Sequence, residues 1–443
     1  MTPRRAPAVE LSALSNGVPV VVSRRVGAPA TTVSLWVLAG SRHETEPGIT
    51  HLLEHVLMQV VPPGRGMRVA DELEACGGEA NALTSRDHLT LYARVPSPGA
   101  SAALQALADS LINTDFADDL VDRERGVVDE ELRLAAADPN DVVHDLFFSI
   151  AFGEHPMGRP VGGQPGQIAA LTPAHLAAWV AANVHAGRVA VVVSGDIDPD
   201  AVRALVDDGP VGALPAAAEQ PQPAPDPPPI GSGYRHLTMN TDTAAVVLGG
   251  PGYPLGDRRL PAAEVLIELV AGANASLLGE EIRSSRGWSH GVWGAVTGYR
   301  DTGVWRVGMS TATEHRDEVA ELARDLLLET AVRVWSATEV EVARRRVAGL
   351  LRLDAESSLD DALLLGRYQL VGGASRWCLE GHAAALARVT VADVEECAQH
   401  MLGELVVATA GGRRRKCGMP KGGEEMDRQF RVSRRPTVVK RAR

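Results

Sequence analysis

The order of apolar and polar residues divides the first half of the chain into short runs and longer segments. Short runs rich in β-branched residues and bounded by Gly or Asn-Gly predict strands at residues 18–23, 31–38, 88–95 and 189–193. Longer segments between these runs predict helices at residues 48–58, 69–75, 100–113, 119–137 and 172–184. This mixture of elements predicts an α+β chain.

The second half of the chain repeats part of this order. Thr172 begins a helix, and the strand that follows it ends 23 residues later at Gly195. Thr390 likewise begins a helix, and the next strand ends 21 residues later at Gly411. The repeat indicates two copies of one α+β domain.

A change of composition separates the two copies. Residues 208–232 are rich in Pro, with three in succession at 227–229, and they predict an extended linker outside the packed core. We therefore predict an N-terminal domain at 8–207 and a C-terminal domain at 233–411. Residues 412–443 are basic, have little apolar periodicity and are predicted to be disordered.

Charge and hydropathy exclude several function classes. The 443 residues carry a net charge of -12, although the last 32 hold twelve Lys or Arg against three acidic residues. An acidic body argues against nucleic-acid binding, and a short basic tail does not change that expectation. The longest apolar runs are shorter than the roughly 18 residues that a membrane span requires, so we expect no membrane partner.

Cysteine usage and codon-related composition bear on location. Cys76, Cys378, Cys397 and Cys417 show no paired spacing, which indicates reduced thiols. The N-terminus lacks the apolar segment of a secretory signal. Three Lys stand against 41 Arg, which is typical of a high-GC bacterial gene. We expect a protein of the bacterial cytoplasm.

The apolar segment 48–58 is interrupted by His51, Glu54 and His55. On a helix, residues four apart lie on one face, so two imidazoles at this spacing can hold one zinc ion. The adjacent carboxylate can take a proton from water on that metal. The order H-x-x-E-H inverts the common H-E-x-x-H helix and is the inverzincin signature.

The alternative is that these histidines are satisfied core residues. A lone His in an apolar helix favours that interpretation. Two His and a Glu together favour a metal, because burying three such groups without a partner would be costly.

A third ligand is expected from the carboxylates of helix 119–137. Glu124 and Glu131 are seven residues apart and share a face, so one can bind the metal while the other supports a ligand. The alternative for this helix is a solvated charged face.

The two motifs together resemble one family. H-L-L-E-H, followed by E-R-G-V-V-D-E-E with Glu131 76 residues beyond His55, resembles the pitrilysin/insulinase family of zinc metallopeptidases. The resemblance is strongest to the bacterial relatives of mitochondrial processing peptidase. Segments 76–86, 155–160 and 277–287 also resemble motifs of that family, and the resemblance extends over about residues 11–411.

The resemblance implies a fold and a reaction. The fold would be two homologous α/β-sandwich domains, each a mixed, mainly antiparallel sheet covered by helices, joined by the Pro-rich linker. His51, His55 and Glu131 would bind one zinc, Glu54 would be the general base and then the proton donor, and Glu124 would support a ligand. The chain would be an endopeptidase or processing peptidase that cleaves a peptide or leader peptide.

The resemblance also implies substrate-binding residues. Segment 78–85 would be an edge strand to which a peptide adds through main-chain hydrogen bonds, with contacts at Glu79, Ala80, Asn81 and Ala82. An ordinary strand–loop junction is the alternative.

In the second domain, Arg283 stands at a position where the family binds the substrate carbonyl. The family has a Tyr seven residues later, and here that position is His290. This departure favours a heterodimer with a homologous subunit that keeps the Arg/Tyr pair. In a homodimer, His290 would replace the Tyr.

Two other function classes remain open. The chain could be a non-catalytic subunit of a larger complex, or a peptide-binding scaffold with a structural zinc. The intact metal motif argues against the first class. The second would need a fourth protein ligand, for which the sequence offers no nearby candidate.

Overall fold

The computed structural model describes residues 8–216, 230–373 and 377–412. In the first half, six strands form one sheet in the order β1-β2-β6-β3-β5-β4. The strands are β1 (Ala8–Ala13), β2 (Pro19–Arg24), β3 (Ala30–Val37), β4 (Glu79–Thr84), β5 (Leu89–Pro96) and β6 (Val189–Gly195). Only the β2–β6 pairing is parallel, so the sheet is mixed and mainly antiparallel.

The second half forms a smaller sheet in the order β7-β11-β8-β10-β9. Its strands are β7 (Gly233–Leu237), β8 (Thr243–Pro251), β9 (Ser289–Gly298), β10 (Gly303–Ala312) and β11 (Val406–Gly411). The β7–β11 pairing is parallel and the others are antiparallel. If β2 to β6 correspond to β7 to β11, both sheets have the same order and strand directions. The predicted fold class is thereby confirmed.

Helices follow the strands in a matching order. In the first half they are α1 (Ile49–Gln59), α2 (Val69–Ala75), α3 (Ala100–Ile112), α4 (Asp118–Ala135), α5 (Pro139–Phe152), α6 (Pro165–Ile168), α7 (Pro173–Asn183) and α8 (Pro199–Asp207). In the second half they are α9 (Leu260–Ile267), α10 (Arg316–Thr330), α11 (Ala337–Asp354), α12 (Ser358–Leu365), α13 (Leu379–Arg388) and α14 (Val391–Met401). π-Helical turns at Glu268–Gly272 and Gly366–Val371 continue α9 and α12, and another lies at Gly279–Ser284.

Local sequence explains where the two repeated helices begin. The Thr172 hydroxyl accepts a hydrogen bond from the His175 amide at the start of α7, and Pro173 occupies the first turn. At the start of α14, the Thr390 hydroxyl accepts from the Asp393 amide. Each cap satisfies an amide that has no partner within its helix. The echo seen in the sequence is therefore a repeated helix start.

Two helices are exchanged between the halves. Helix α5 belongs to the first half but packs on β8 and β11 of the second sheet, where Phe147 and Phe148 join the core. Helix α12 belongs to the second half but packs on β3 and β6 of the first sheet, where its Leu365 lies in a core with Trp36. The two halves are thus joined through their cores.

The beginning of the expected linker differs from the prediction. Residues 208–216 are described, and Val211 and Leu214 are buried in the core of the first half. The Asn16 side-chain amide donates to the Val211 carbonyl over 2.9 Å. The composition of the whole segment concealed two apolar residues at its start, and these pack as core residues do.

The remaining organisation stays a prediction. Residues 217–229 and the basic tail from 413 onward lie outside the described residues. Within the described ranges, the structure contains no helix with both the length and the apolar character needed to cross a membrane.

Candidate metal centre

Helix α1 presents two different faces. Leu52, Leu53 and Val56 are fully buried against the first sheet. His51 and His55 lie on the other side of the helix, with their side chains 13% and 22% exposed. The apolar face anchors the helix, so the two imidazoles are held near the surface by packing below them.

Helix α4 brings the third side chain. The Glu131 carboxylate Oε2 lies 3.2 Å from His55 Nε2 and 3.8 Å from His51 Nε2. The two rings stand almost perpendicular, with centroids 4.9 Å apart. Candidate ligand atoms of the three residues all lie within 4.8 Å of one another. Within the ranges that the structure describes, this is the one such group of His, Cys, Asp and Glu.

These separations fit a zinc ion. Zinc takes imidazole nitrogen and carboxylate oxygen at about 2.0–2.2 Å in a tetrahedral arrangement, which places ligand atoms about 3.4 Å apart. The two measured nitrogen–oxygen distances lie on either side of that value. Two imidazoles and one carboxylate also match the His₂Glu set of catalytic zinc sites, which leave one position open.

The Nδ1 side of the His51 ring faces the backbone around Gly162. Its Nδ1 atom is buried and has no hydrogen-bond partner of ordinary geometry among the described residues. A Cβ atom on Gly162 would lie 3.3 Å from Nδ1 and 2.9 Å from the Leu132 side chain. Glycine therefore lets the 160–163 segment approach the ring closely.

Burial sets the charge state of His51. Desolvation lowers the pKa of His51 below its usual value, against the opposing charges of Glu54 and Glu131. The imidazole is therefore neutral at neutral pH, and the neutral form is the one that binds a metal.

Glu54 and Glu124 have different positions. Glu54 is partly buried on α1, and its charge acts on His51. Glu124 is buried on α4, where its Oε1 accepts from Arg123 Nε over 3.4 Å. Across the described part of the chain, no hydrogen bond joins Glu124 to His51, His55 or Glu131. The predicted supporting role of Glu124 stays a prediction.

Strand β4 is an edge of the first sheet. It pairs with β5 on one side, and helix α1 lies beside it. The Thr84 hydroxyl donates to the Thr50 carbonyl over 3.4 Å, next to His51 in sequence. Glu79 and Asn81 are exposed, whereas Ala82 faces the core and Ala80 is half-buried. Among the described residues, no strand pairs with the other edge of β4, which lies beside helix α1.

Arg283 and His290 lie in the second half. Arg283 is part of the π-helical turn Gly279–Ser284, and His290 is exposed near the start of β9. In the described ranges, no hydrogen bond or ion pair joins either residue to the three candidate ligands. Their predicted role in substrate binding stays a prediction.

One contact near the site was not foreseen from the sequence. The buried Glu44 carboxylate accepts hydrogen bonds from the Gly48 and Thr50 amides at the start of α1. An acidic residue shortly before a helix start is a usable signal, because negative charge is favourable there. It is a weak signal, since Glu44 is separated from the helix by a turn.

The structure thus combines a duplicated α+β fold with two helical histidines and a carboxylate that could hold a metal ion. Comparisons with known proteins identify the family. The model of the insulinase family, peptidase family M16, matches residues 20–164, and the model of the peptidase M16 inactive domain matches residues 170–347. An uncharacterized zinc protease of Mycobacterium bovis is 30% identical over 93% of this chain and 97% of its own length. The chain belongs to the M16 family.

Solved structures support the fold. A protease from Helicobacter pylori has a TM-score of 0.83 at 19% identity, over 92% of this chain and all of that one. A chain of Complex III2 from Candida albicans has a TM-score of 0.76 at 18% identity, over 91% of this chain and 96% of that one. At these identities the likeness concerns the fold alone.

Proposed function

We propose that this chain is a zinc-dependent endopeptidase that cleaves a peptide or leader peptide. The observation that carries the proposal is the convergence of His51, His55 and Glu131 in a member of the M16 family. These three residues would hold one zinc ion. When bound, zinc supplies Lewis acidity, which polarises a peptide carbonyl and makes water a nucleophile near neutral pH.

Glu54 moves the proton in this proposal. It immediately precedes His55 on α1, and its carboxylate is close enough to His51 to act on the charge of that ring. Its carboxylate takes a proton from the attacking water and then gives one to the leaving amine. Glu124 lies two turns before Glu131 on α4 and is buried. In this proposal it helps to fix α4, and thereby the position of the Glu131 ligand.

The substrate binds along strand β4. The free edge of this strand offers main-chain donors and acceptors, and a peptide added there as another strand would lie beside α1. Glu79, Ala80, Asn81 and Ala82 form the docking edge. Main-chain pairing gives affinity with little dependence on side chains, which suits an enzyme that acts on leader peptides.

A partner subunit completes the site. Arg283 and His290 would bind the substrate carbonyl, with His290 in place of a Tyr. A homologous subunit with both donors intact would supply what this chain lacks, and a homodimer that uses His290 is the alternative. We place the enzyme in the bacterial cytoplasm, in keeping with the free Cys76, Cys378 and Cys397.

A non-catalytic subunit is the second candidate. It is favoured by the match of residues 170–347 to a domain described as inactive, and by the fold shared with a chain of Complex III2. The complete ligand set and Glu54 favour the peptidase instead, because a subunit without catalysis has no need of either.

The substitution Glu54→Gln tests the proposal. Glutamine keeps the size of the side chain but cannot act as a base, so hydrolysis of a peptide should fall by about 10²–10⁴-fold. The variant should still bind one zinc per chain. Zinc content by elemental analysis and the rate of peptide cleavage, with and without chelator, are the two measurements.

His51→Ala and Glu131→Gln are the matched variants. Each removes a ligand, so both should lose zinc as well as activity, unlike Glu54→Gln. A Glu54→Gln protein that cleaves peptides within a few-fold of wild type contradicts the assigned base. Stoichiometric zinc in both ligand variants contradicts the assigned site, and a zinc-loaded wild type without hydrolysis favours the non-catalytic subunit.

A further inference from the structure

We propose that Glu44, Arg42 and Asp301 hold the metal-binding helix in position, so that the second half of the chain sets the metal affinity of the first. The inference rests on the proposed function for the identity of the metal site. Glu44, Arg42 and Asp301 are positioning residues, since none of them belongs to the ligand set.

Glu44 fixes the first turn of α1. Its Oε2 accepts from the Gly48 amide and its Oε1 from the Thr50 amide, each over 2.9 Å. The residue is 7% exposed. The first amides of a helix have no partner within it, and a carboxylate there also interacts favourably with the helix dipole. Because His51 follows Thr50 directly, this contact locates the turn that carries the first ligand.

Arg42 ties the same segment to the second half. Its NH1 donates to Asp301 Oδ1 over 2.8 Å, and its NH2 donates to Asp301 Oδ2 over 2.5 Å. Asp301 lies in the turn between β9 and β10. Arg42 NH1 also donates to Asp87 over 3.0 Å, and the Arg300 amide donates to the other oxygen of Asp87 over 2.9 Å. The guanidinium is therefore held by two carboxylates, one from each half.

A short stretch of backbone connects the Arg42–Asp301 ion pair to the contact between Glu44 and α1. Arg42 lies in a short 3₁₀ turn, Ser41–His43. At the end of this turn the Glu44 amide donates to the Ser41 carbonyl over 3.4 Å. The Arg42 side chain is only 3% exposed. A buried charge is costly when its partner is removed, so loss of the Asp301 charge favours a shift of the Arg42 side chain. Arg42 and Glu44 are two residues apart, so a shift of Arg42 also moves Glu44 and, with it, the first turn of α1.

Glu44→Gln and Asp301→Asn test this arrangement. Glutamine has one acceptor oxygen where Glu44 has two, so one amide of the first turn loses its partner. Groups hydrogen-bonded directly to metal ligands typically contribute 10–100-fold in metal affinity. Glu44 acts one step further away, through the backbone before His51, so we expect Glu44→Gln to weaken zinc binding by up to about 10-fold and Asp301→Asn to weaken it by less. Competition with a chromophoric chelator measures the affinity.

A second measurement needs neither metal nor substrate. Hydrogen exchange of amides 48–52 in the zinc-free protein should accelerate in both variants, because the first turn of α1 opens more readily. This readout separates the inference from the proposed function. A protein that never cleaves peptides can still show the exchange effect.

Glu268→Gln is the matched control. Glu268 also forms an ion pair, 2.5 Å from Arg346, in which its own side chain is 9% exposed and that of Arg346 is 45% exposed, but both residues belong to the second half. Its loss should lower stability and leave zinc affinity and exchange at 48–52 unchanged. The inference is overturned if Glu44→Gln and Asp301→Asn retain both wild-type properties, or if Glu268→Gln changes them equally. If Glu44→Gln does not fold, Asp301→Asn decides by the same two measurements.

Discussion

The three candidate ligands differ in how firmly the protein holds them. His51 is enclosed by the Gly162 backbone and His55 is slightly more open, whereas the Glu131 side chain is 53% exposed. An exposed long side chain keeps most of its rotamer freedom without a partner. Binding of a metal would therefore order Glu131 more than the histidines. The two imidazoles are the preformed part of the centre.

His88 makes the folded chain sensitive to acid. Burial lowers the pKa of His88 to about 3, and its ring packs 4.6 Å from that of Trp36. The unfolded chain has a His pKa near 6.5, so it binds more protons than the folded chain between about pH 6.5 and 3. Stability should fall as pH is lowered through that window, by up to about 1.4 kcal/mol per pH unit for this one residue.

The substitution His88→Gln isolates this effect. Urea unfolding at several pH values should give a shallower decline in the free energy of unfolding than wild type shows. An unchanged slope in His88→Gln would refute the assignment of acid sensitivity to this ring.

At the scale of elements, helix α1 depends on Gly48, the residue that caps its start. Gly48 has φ of +87°, a conformation that other residues adopt at a cost. A Cβ atom there would lie 2.5 Å from the Ile168 side chain and 2.8 Å from the Gly162 carbonyl oxygen. Glycine at this position therefore lets the chain enter α1 without strain or a clash.

Gly48→Ala should destabilise the protein by about 1–3 kcal/mol through backbone strain, with further loss from the clash. Chemical unfolding measures the change. Gly126→Ala on α4 is the control: apart from its own stretch of helix, no described atom lies within 4 Å of its added Cβ, so Ala should be neutral or stabilising by up to about 1 kcal/mol. Equal effects of the two substitutions would argue against a special role for Gly48.

The sequence predicted elements better than their partners. The patterns at 48–58 and 119–137 correspond to α1 and α4, because apolar periodicity reports directly on a helix face. The exchange of α5 and α12 was not predicted, since periodicity does not say which sheet covers that face. The role of Glu44 was not predicted either, because it depends on a turn that brings Glu44 back to the start of α1, and periodicity does not report on turns.

At the scale of the molecule, the proposed mechanism predicts that one chain alone is less active than a pair of homologous subunits. Arg283 is present and His290 stands where the family has Tyr, so the proposed carbonyl-binding site would be one family donor short. Removing one preorganised donor typically costs about 10²–10³-fold in rate. We therefore expect the purified chain to be slower by about that factor than the same chain mixed with a homologous subunit.

The measurement is peptide cleavage by the chain alone, by the mixture and by His290→Tyr. Restored activity in His290→Tyr without a partner would show that the missing donor is the reason for the difference. If the lone chain already works at full rate and a homologue adds nothing, His290 serves as the donor and the heterodimer is excluded.

The exchange of α5 and α12 determines what would happen if the chain were cut between its two halves. A cut between the halves would leave each fragment with a helix whose apolar side, Phe147 and Phe148 on one or Leu365 on the other, fits a sheet on the other fragment. Neither fragment would be a finished folding unit, and each would expose a surface suited to the other. We therefore expect the two halves to unfold together rather than one after the other.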